Sequence, residues 1–287
     1  MNHGRFPTWI RAKAPQGVNY SDLRELVRTS ELHTVCEEAH CPNIGDCWER
    51  KTATFMILGD TCTWRCHYCA VKTGRPLTVD LDEPARLAKT VQHLGLRYCV
   101  ITSVTREDLD DGGASVFAEC INRIHETIPT CKVEVLIPDF RGNGPALQTV
   151  LDAKPEVLNH NIETVRSVFR KVRPKGEYDR SLQLLMNSSQ IDPKIPTKSG
   201  LMVGLGETVD EIKETMYDLL SVNCRLLTIG QYLQPSKIHW KIRKFYTPDE
   251  FESFRQIGIA MGFKHVASGP LVRSSYHADE QAAAALL

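Results

Sequence analysis

Short apolar runs, rich in β-branched and aromatic residues, recur along the chain between segments whose apolar positions repeat every three to four residues. The runs 54–58, 98–102, 132–137, 157–159, 201–203 and 226–229 read as six strands. Between them, 83–93 aligns Leu87, Val91 and Leu94 and meets a stop at Gly95, while 115–127, 145–151, 180–187 and 207–220 supply further helices. A late helix over 248–259 turns Phe251, Phe254 and Ile257 inward, and an early one over 20–29 is capped by Ser21 and carries Leu23, Leu26 and Val27. Strand–helix alternation predicts an α/β protein with parallel crossovers, helices outside, and C-terminal strand ends free for chemistry. Six units fall short of a closed eight-stranded barrel. We therefore expect a partial (β/α)6 TIM-type barrel over 51–262, with an N-terminal extension, 1–50, and a C-terminal segment, 263–287. Residues 1–20 read as an extended arm stapled by Phe6 and Trp9, and 282–287 form a short Ala-Leu tail.

Composition narrows the setting. Lysine and arginine total 35 and aspartate and glutamate total 35, so no global positive field points to nucleic acid. No basic cluster interleaved with surface aromatics stands out either. No apolar run approaches the ~20 residues that span a bilayer, and residues 1–20 lack a signal-peptide pattern. Ten cysteines in such a chain argue for reduced thiols and metal ligation in a cytoplasmic setting, rather than a disulfide scaffold.

Six of those cysteines fall in two triads. Cys62, Cys66 and Cys69 lie just past the 54–58 strand, separated by three and two residues, with Tyr68 before the last. Three thiolates cannot complete a four-iron cluster, which leaves one iron open; zinc held with His67 is the plainer alternative. Cys36, Cys41 and Cys47 occupy a turn-rich stretch containing Pro42, Asn43, Gly45 and Asp46, where zinc with His40 is again the alternative. Six thiolates exceed the four positions of one cluster, so two clusters fit better than one. Cys99, Cys120, Cys131 and Cys224 stand singly in strand or helix contexts and read as buried structural thiols.

Polar groups gather after the strands. Ser103, Thr105 and Arg106 follow the second, with Gly112-Gly113 close behind; the run 159–163 (Asn-His-Asn-Ile-Glu) follows the fourth. That run suits a ribose and an amino-acid head group, although Asn161 could instead cap a helix. The segment 204–207 (Gly-Leu-Gly-Glu) is too short for a dinucleotide fingerprint, and 231–235 follows the sixth strand.

The Cys62, Cys66, Cys69 motif with Tyr68 resembles the cluster motif of the radical S-adenosylmethionine enzymes. The Cys36, Cys41, Cys47 triad, together with segments 136–140, 159–163 and 230–235, narrows the resemblance to the lipoyl synthase family over nearly the whole chain. That resemblance implies two [4Fe-4S] clusters, with S-adenosylmethionine chelating the open iron of the first and Cys36, Cys41 and Cys47 holding an auxiliary cluster. It implies cofactor contacts from Tyr68, Ser103, Asn161, Glu163 and Arg173. It also matches Arg273-Ser274-Ser275-Tyr276-His277 to a C-terminal motif whose serine ligates the auxiliary cluster; Ser275 takes that role, with Ser274 as alternative. The implied reaction inserts two sulfurs from a sacrificial auxiliary cluster at C6 and C8 of a protein-bound octanoyl-lysine. Implied partners are octanoylated lipoyl carrier domains of 2-oxoacid dehydrogenase complexes or the glycine cleavage H protein, a low-potential electron donor and an iron-sulfur cluster delivery protein. A biotin-synthase-like or methylthio-transferring radical enzyme is the nearest alternative, and a non-enzymatic metal-binding protein a more distant one.

Overall fold

In the computed structural model, which describes residues 6–285 except 13 and 51, the alternation read from the sequence forms one sheet wrapped by helices. Residues 1–5 of the expected arm and 286–287 of the tail lie outside the described residues. The chain runs α1 (Val18–Thr29), β1 (His33–Thr34), α2 (Val35–Glu38), α3 (Ile44–Glu49), β2 (Thr54–Ile57), α4 (Glu83–Leu94) and β3 (Tyr98–Ser103). It continues through α5 (Ala114–Thr127), β4 (Lys132–Leu136), α6 (Gly144–Asp152), β5 (Val157–Asn159), α7 (Arg166–Val172) and α8 (Tyr178–Ile191). The last part comprises β6 (Thr197–Val203), α9 (Val209–Ser221), β7 (Leu226–Gln231), α10 (Pro248–Met261), β8 (His265–Gly269) and α11 (Ala278–Ala285).

The eight strands lie side by side in chain order, and every neighbouring pair is parallel except β1 against β2. The sheet does not close, so the architecture is an α/β partial barrel. Two strands exceed the six expected. β1 has only two residues, too few for a period, and β8 reads His-Val-Ala-Ser-Gly with one buried position, so neither shows an apolar run. The sheet therefore takes in residues on both sides of the 51–262 span. Among the other elements, Ser21 is not the cap of α1: Gly17 is, and the Ser21 hydroxyl donates back to the Gly17 carbonyl at 3.0 Å. Gly95 does end α4, in the left-handed conformation with φ 62°. Thr208 and Thr247 close capping boxes with Glu211 and Glu250 that start α9 and α10.

Cys99, Cys120, Cys131 and Cys224 are buried in these layers. Inside the barrel, at its N-terminal end, Lys198 and Glu134 are fully buried and paired at 2.9 Å, with Tyr98 donating to Glu134 at 2.8 Å and Asn159 at 3.2 Å. Below them α11 plugs the floor, packing Ala278 and Ala282 against Tyr98, Val100, Val157 and Leu226. Between β8 and this plug, residues 270–277 form a strap. It runs so close to β7 that a Cβ on Gly230 would collide with the Val272 carbonyl. At the other end of the chain the Trp9 indole donates to the Tyr246 carbonyl at 3.1 Å and Phe6 stacks edge-on with Phe245, which staples the arm to the body. No helix among the described residues is long and apolar enough to cross a membrane.

Candidate iron-sulfur and cofactor site

The Cys62–Cys69 loop leaves β2 through a strained corner. Leu58 adopts φ 69° and Gly59 φ 87°; a left-handed leucine costs about 1–3 kcal/mol and needs neighbours that over-determine it. Two buried charges do so. The Glu83 carboxylate accepts the Leu58 N–H at 2.8 Å, while Arg106 donates to the Leu58 carbonyl at 3.1 Å and to the Leu77 carbonyl at 3.0 Å. Arg106 thus clasps both ends of the loop that carries the three cysteines, and Asp108 pairs with it at 2.8 Å.

Within the loop, Cys62 is ordered on both sides, its N–H donating to Lys72 at 2.8 Å and its carbonyl accepting from Gly74 at 3.0 Å. Its Sγ accepts N–H groups from Trp64 at 3.4 Å and Thr105 at 3.3 Å. Such bonds to sulfur stabilise a thiolate and tune the potential of any cluster it holds. Burial pushes the Cys66 thiol up to about 11, with Arg173 pulling it back, and pushes Cys69 up to about 12. Cys66 and Cys69 therefore stay protonated until a metal displaces the proton. The three sulfurs feel one another's charge, which places them around one volume. Among the described residues, no three His, Cys, Asp or Glu side chains converge tightly enough for a single metal ion. Three thiols around one volume suit a polynuclear group, in which each thiolate binds its own iron. His67 turns its Nδ1 to the Lys171 carbonyl at 2.9 Å.

The strand-end residues separate into spent and available groups. In the 159–163 run, the Asn159 amide N–H donates to Glu134, and His160 bonds the Ile137 carbonyl at 2.8 Å and the Ser181 hydroxyl at 3.0 Å, so His160 is not left to grip a ligand. Burial, then the Arg173 charge, lowers His160 to about 4 and keeps it neutral. Asn161 does not cap α7, whose N-cap is Val165. Its Oδ1 is buried without a hydrogen-bond partner, as are Asn159 Oδ1, Ser103 Oγ and Arg173 Nη1. Orphaned buried polar atoms carry a free-energy cost that a ligand can remove. Glu163 sits among them at φ 67°; burial raises its carboxyl and Arg173 opposes the rise. A guanidinium, a carboxylate and the Asn161 amide therefore lie near one another beside Tyr68 and Cys66. This set fits an amino-acid carboxylate and a ribose, hence S-adenosylmethionine.

The other triad is built on short helices. Cys36 lies in α2, Cys47 in α3, and Cys41 in the turn between them, after His40 at φ 49°. Burial, then Cys41, pushes Cys36 up to about 12, and burial, then Cys36 and Cys41, pushes Cys47 to about 12. The Asn43 amide reaches across to the Leu271 carbonyl at 2.6 Å, docking the triad on the strap. Arg273 lies beside Cys41, and burial lowers its guanidinium from the usual value. Cys36, Cys41, Cys47, Ser274 and Ser275 all line one cavity of about 440 Å³, and Cys69 and Tyr68 line it too. Both serines border this space. The Glu83–Arg106 clasp, the Asn43 dock and the Gly230 clearance were missed in the sequence; the one available signal was Arg106 at a strand end.

Comparison with known proteins accords with this geometry. The radical SAM superfamily matches residues 56–219, and the N-terminal domain of lipoyl synthase of that family matches residues 1–41. The lipoyl synthase of Rubrobacter xylanophilus is 55% identical over 97% of this chain and 87% of its own length. That of Koribacter versatilis is 56% identical over 96% and 91% of the two chains. Among solved structures, HydG, a maturase of the [FeFe]-hydrogenase, superposes with TM-score 0.59 at 14% identity, covering 86% of this chain and 56% of that one. Streptococcus suis SuiB bound to S-adenosylmethionine gives 0.55 at 11% identity, over 76% and 50%. These two likenesses concern the fold. Near-full-length identity carries the assignment past the biotin-synthase, methylthiotransferase and non-enzymatic alternatives: the chain belongs to the lipoyl synthase family of the radical S-adenosylmethionine superfamily.

Proposed function

We propose that this chain inserts two sulfur atoms at C6 and C8 of an octanoyl chain carried on a lysine of a lipoyl carrier domain. The observation that carries the reading is one cavity bordered by Cys36, Cys41 and Cys47, by Cys69 of the other triad, and by Ser274 and Ser275. Its remaining wall is largely apolar, with Val35, Pro42, Met202 and Leu233, which suits an alkyl chain rather than a charged metabolite. An aliphatic C–H bond offers no proton that a side chain can remove, so a cofactor must supply the hard step. When bound, the clusters and two molecules of S-adenosylmethionine supply hydrogen abstraction and the sulfide.

The residues of the chain then bind and orient. Cys62, Cys66 and Cys69 hold the radical-generating cluster, and Cys36, Cys41, Cys47 and Ser275 hold the auxiliary one. Arg173 takes the cofactor's carboxylate, Glu163, Asn161 and Ser103 its polar groups, and Tyr68 packs beside it. An alkoxide ligand is harder and more readily lost than a thiolate, which suits a cluster that must give up sulfur. Arg273 steadies that corner by its charge near Cys41. The three-part division expected for the chain follows the same roles, with 1–50 bringing the auxiliary cysteines, 51–262 the radical chemistry and 263–287 the closing segment. The carrier domains are those of 2-oxoacid dehydrogenase complexes or the glycine cleavage H protein. A low-potential donor and a cluster delivery protein complete the set, in a reducing cytoplasm where all ten cysteines stay free.

Anaerobic incubation with an octanoyl-lysyl peptide, S-adenosylmethionine and dithionite, followed by mass spectrometry, tests this reading. Lipoyl peptide and 5′-deoxyadenosine are expected together; 5′-deoxyadenosine with no sulfur in the peptide would refute it.

A further inference from the structure

The zero net charge conceals a strongly uneven distribution. Residues 61–79, 170–176 and 232–248 contain no aspartate or glutamate but eleven lysines and arginines. The stretch 237–244 alone sets Lys237, Lys241, Arg243 and Lys244 around Trp240, so a basic cluster with an aromatic is present where none was expected.

Folding knits these three stretches into one surface around the radical-cluster loop. The Trp240 N–H donates to the His67 carbonyl at 2.8 Å, and His239 Nε2 lies 3.0 Å from the Cys69 carbonyl. The His67 N–H donates to Val172 at 2.7 Å, and Lys175 Nζ donates to the Thr63 carbonyl at 3.1 Å. Lys72, Lys175 and Lys244 are neutralised by Asp60, Glu107 and Glu250. Arg65, Arg75, Lys171, Lys237 and Lys241 are exposed; Lys171 feels the Glu211 carboxylate, and among the described residues no ion pair joins the other four to an acid. Ile238 stands 84% exposed between two of these lysines, so the collar has an apolar contact point as well as charge.

We propose that this collar docks an acidic, low-potential one-electron donor protein against the outer side of the Cys62–Cys69 loop. This rests on the reading above, in which that loop holds the radical-generating cluster. Cys66 is flanked by exposed Arg65 and His67 and does not line the substrate cavity, whereas Cys69 does. Electrons thus have a short route through the collar that leaves the cavity to the acyl chain. Per S-adenosylmethionine cleaved, the donor is oxidised by one electron, and the sulfonium is reduced to methionine and a 5′-deoxyadenosyl radical. A field of unpaired cations steers such an encounter and makes it salt-sensitive. The contact is expected to be small and transient.

The test compares the chain with its Lys171→Glu/Lys237→Glu/Lys241→Glu variant, using reduced flavodoxin or dithionite as donor. Binding of flavodoxin to each chain without iron is measured in parallel by calorimetry at low and high salt. We expect the flavodoxin-driven rate of 5′-deoxyadenosine formation to fall about tenfold or more, flavodoxin binding to be lost, and the dithionite-driven rate to stay unchanged. Unchanged flavodoxin rates and binding would overturn the proposal. Equal loss with both donors would also overturn it, since the substitutions would then be disturbing the loop itself. A raised KM for an octanoylated carrier domain, with flavodoxin rates intact, would give the surface to the substrate protein instead. Failure of the unmodified chain to form 5′-deoxyadenosine with dithionite would refute the radical reading, while the iron-free binding measurement would still decide the collar. Should the triple variant not fold, Lys237→Glu alone carries the same comparison.

Discussion

The two cysteine triads stand on frames of different strength. The Cys62–Cys69 loop is clasped at both ends by buried Arg106, cornered at Leu58 by Glu83, and given two N–H bonds to the Cys62 sulfur. The Cys36–Cys47 loop rests on one four-residue and one six-residue helix. Side-chain bonds tie it to the strap and tail, through Asn43 to Leu271 and from half-exposed Arg50 to Glu280. The first frame belongs to the barrel and resists change. The second is assembled from the two chain ends, with Cys36 and Trp48 buried in the core that also holds β2. In the proposed reading the first triad serves every turnover and the second is dismantled, and the two stand on different numbers of side-chain ties.

The largest effect should come from removing one cysteine of each triad in turn. Cys66→Ala is expected to abolish 5′-deoxyadenosine formation while iron at the other triad remains. Cys41→Ala should keep reductive cleavage yet yield no thiolated peptide. Lipoyl peptide from a single turnover of Cys41→Ala, with auxiliary iron absent, would erase the division of labour.

Next in size is the effect of the proposed serine ligand. Ser275→Cys should retain iron and radical initiation but stall before the second sulfur, because a thiolate leaves less readily than an alkoxide. Ser275→Ala should assemble labile auxiliary iron. Iron content, 5′-deoxyadenosine, mono-thiolated and lipoyl peptide in one anaerobic time course decide the matter; wild-type lipoyl yields from both variants would move the role to Ser274 or to no serine.

Arg106→Met sharpens the contrast of frames. Losing a buried, charged set of hydrogen bonds should cost about 2 kcal/mol of stability. In a Cys41→Ala background, which leaves the radical cluster as the main iron reservoir, cleavage should drop about tenfold or more. Unaltered iron and cleavage would show that the loop holds its shape without the clasp.

The smallest effect concerns Glu83. Burial is the leading cause that raises its carboxyl above the ordinary 4.5, so ionisation works against folding. That penalty is absent below 4.5 and appears as pH rises through the raised value. Glu83→Gln, which can still accept the Leu58 N–H, should therefore match the parent in Tm at acid pH and exceed it near neutrality. Thermal melts at both pH values check the sign.

Much of this was legible in the chain before folding. The six long strands, their crossover helices and the two triads are local patterns, set by side-chain period and ligand spacing within a few residues. β1 and β8 escaped because two residues hold no period and His-Val-Ala-Ser-Gly has no apolar run. In the 159–163 run the polar residue types were visible, but not that His160 is consumed by Ile137 and Ser181 while the Asn159 and Asn161 side-chain oxygens are left without partners.

What the sequence by itself determined is the chemistry on offer: three-plus-three cysteines, a β/α order that leaves strand ends free, and a serine pair near the C-terminus. Only the tertiary structure decided which of these groups share a volume. Asn43 meets Leu271 across 228 residues of chain, and three basic stretches meet around His67 only after the barrel has curved. The physical reason is one of range. Period, capping and ligand spacing act over a few residues, whereas a cavity between two chain ends depends on strand order, sheet curvature and the clearance at Gly230, none of which any short segment encodes alone.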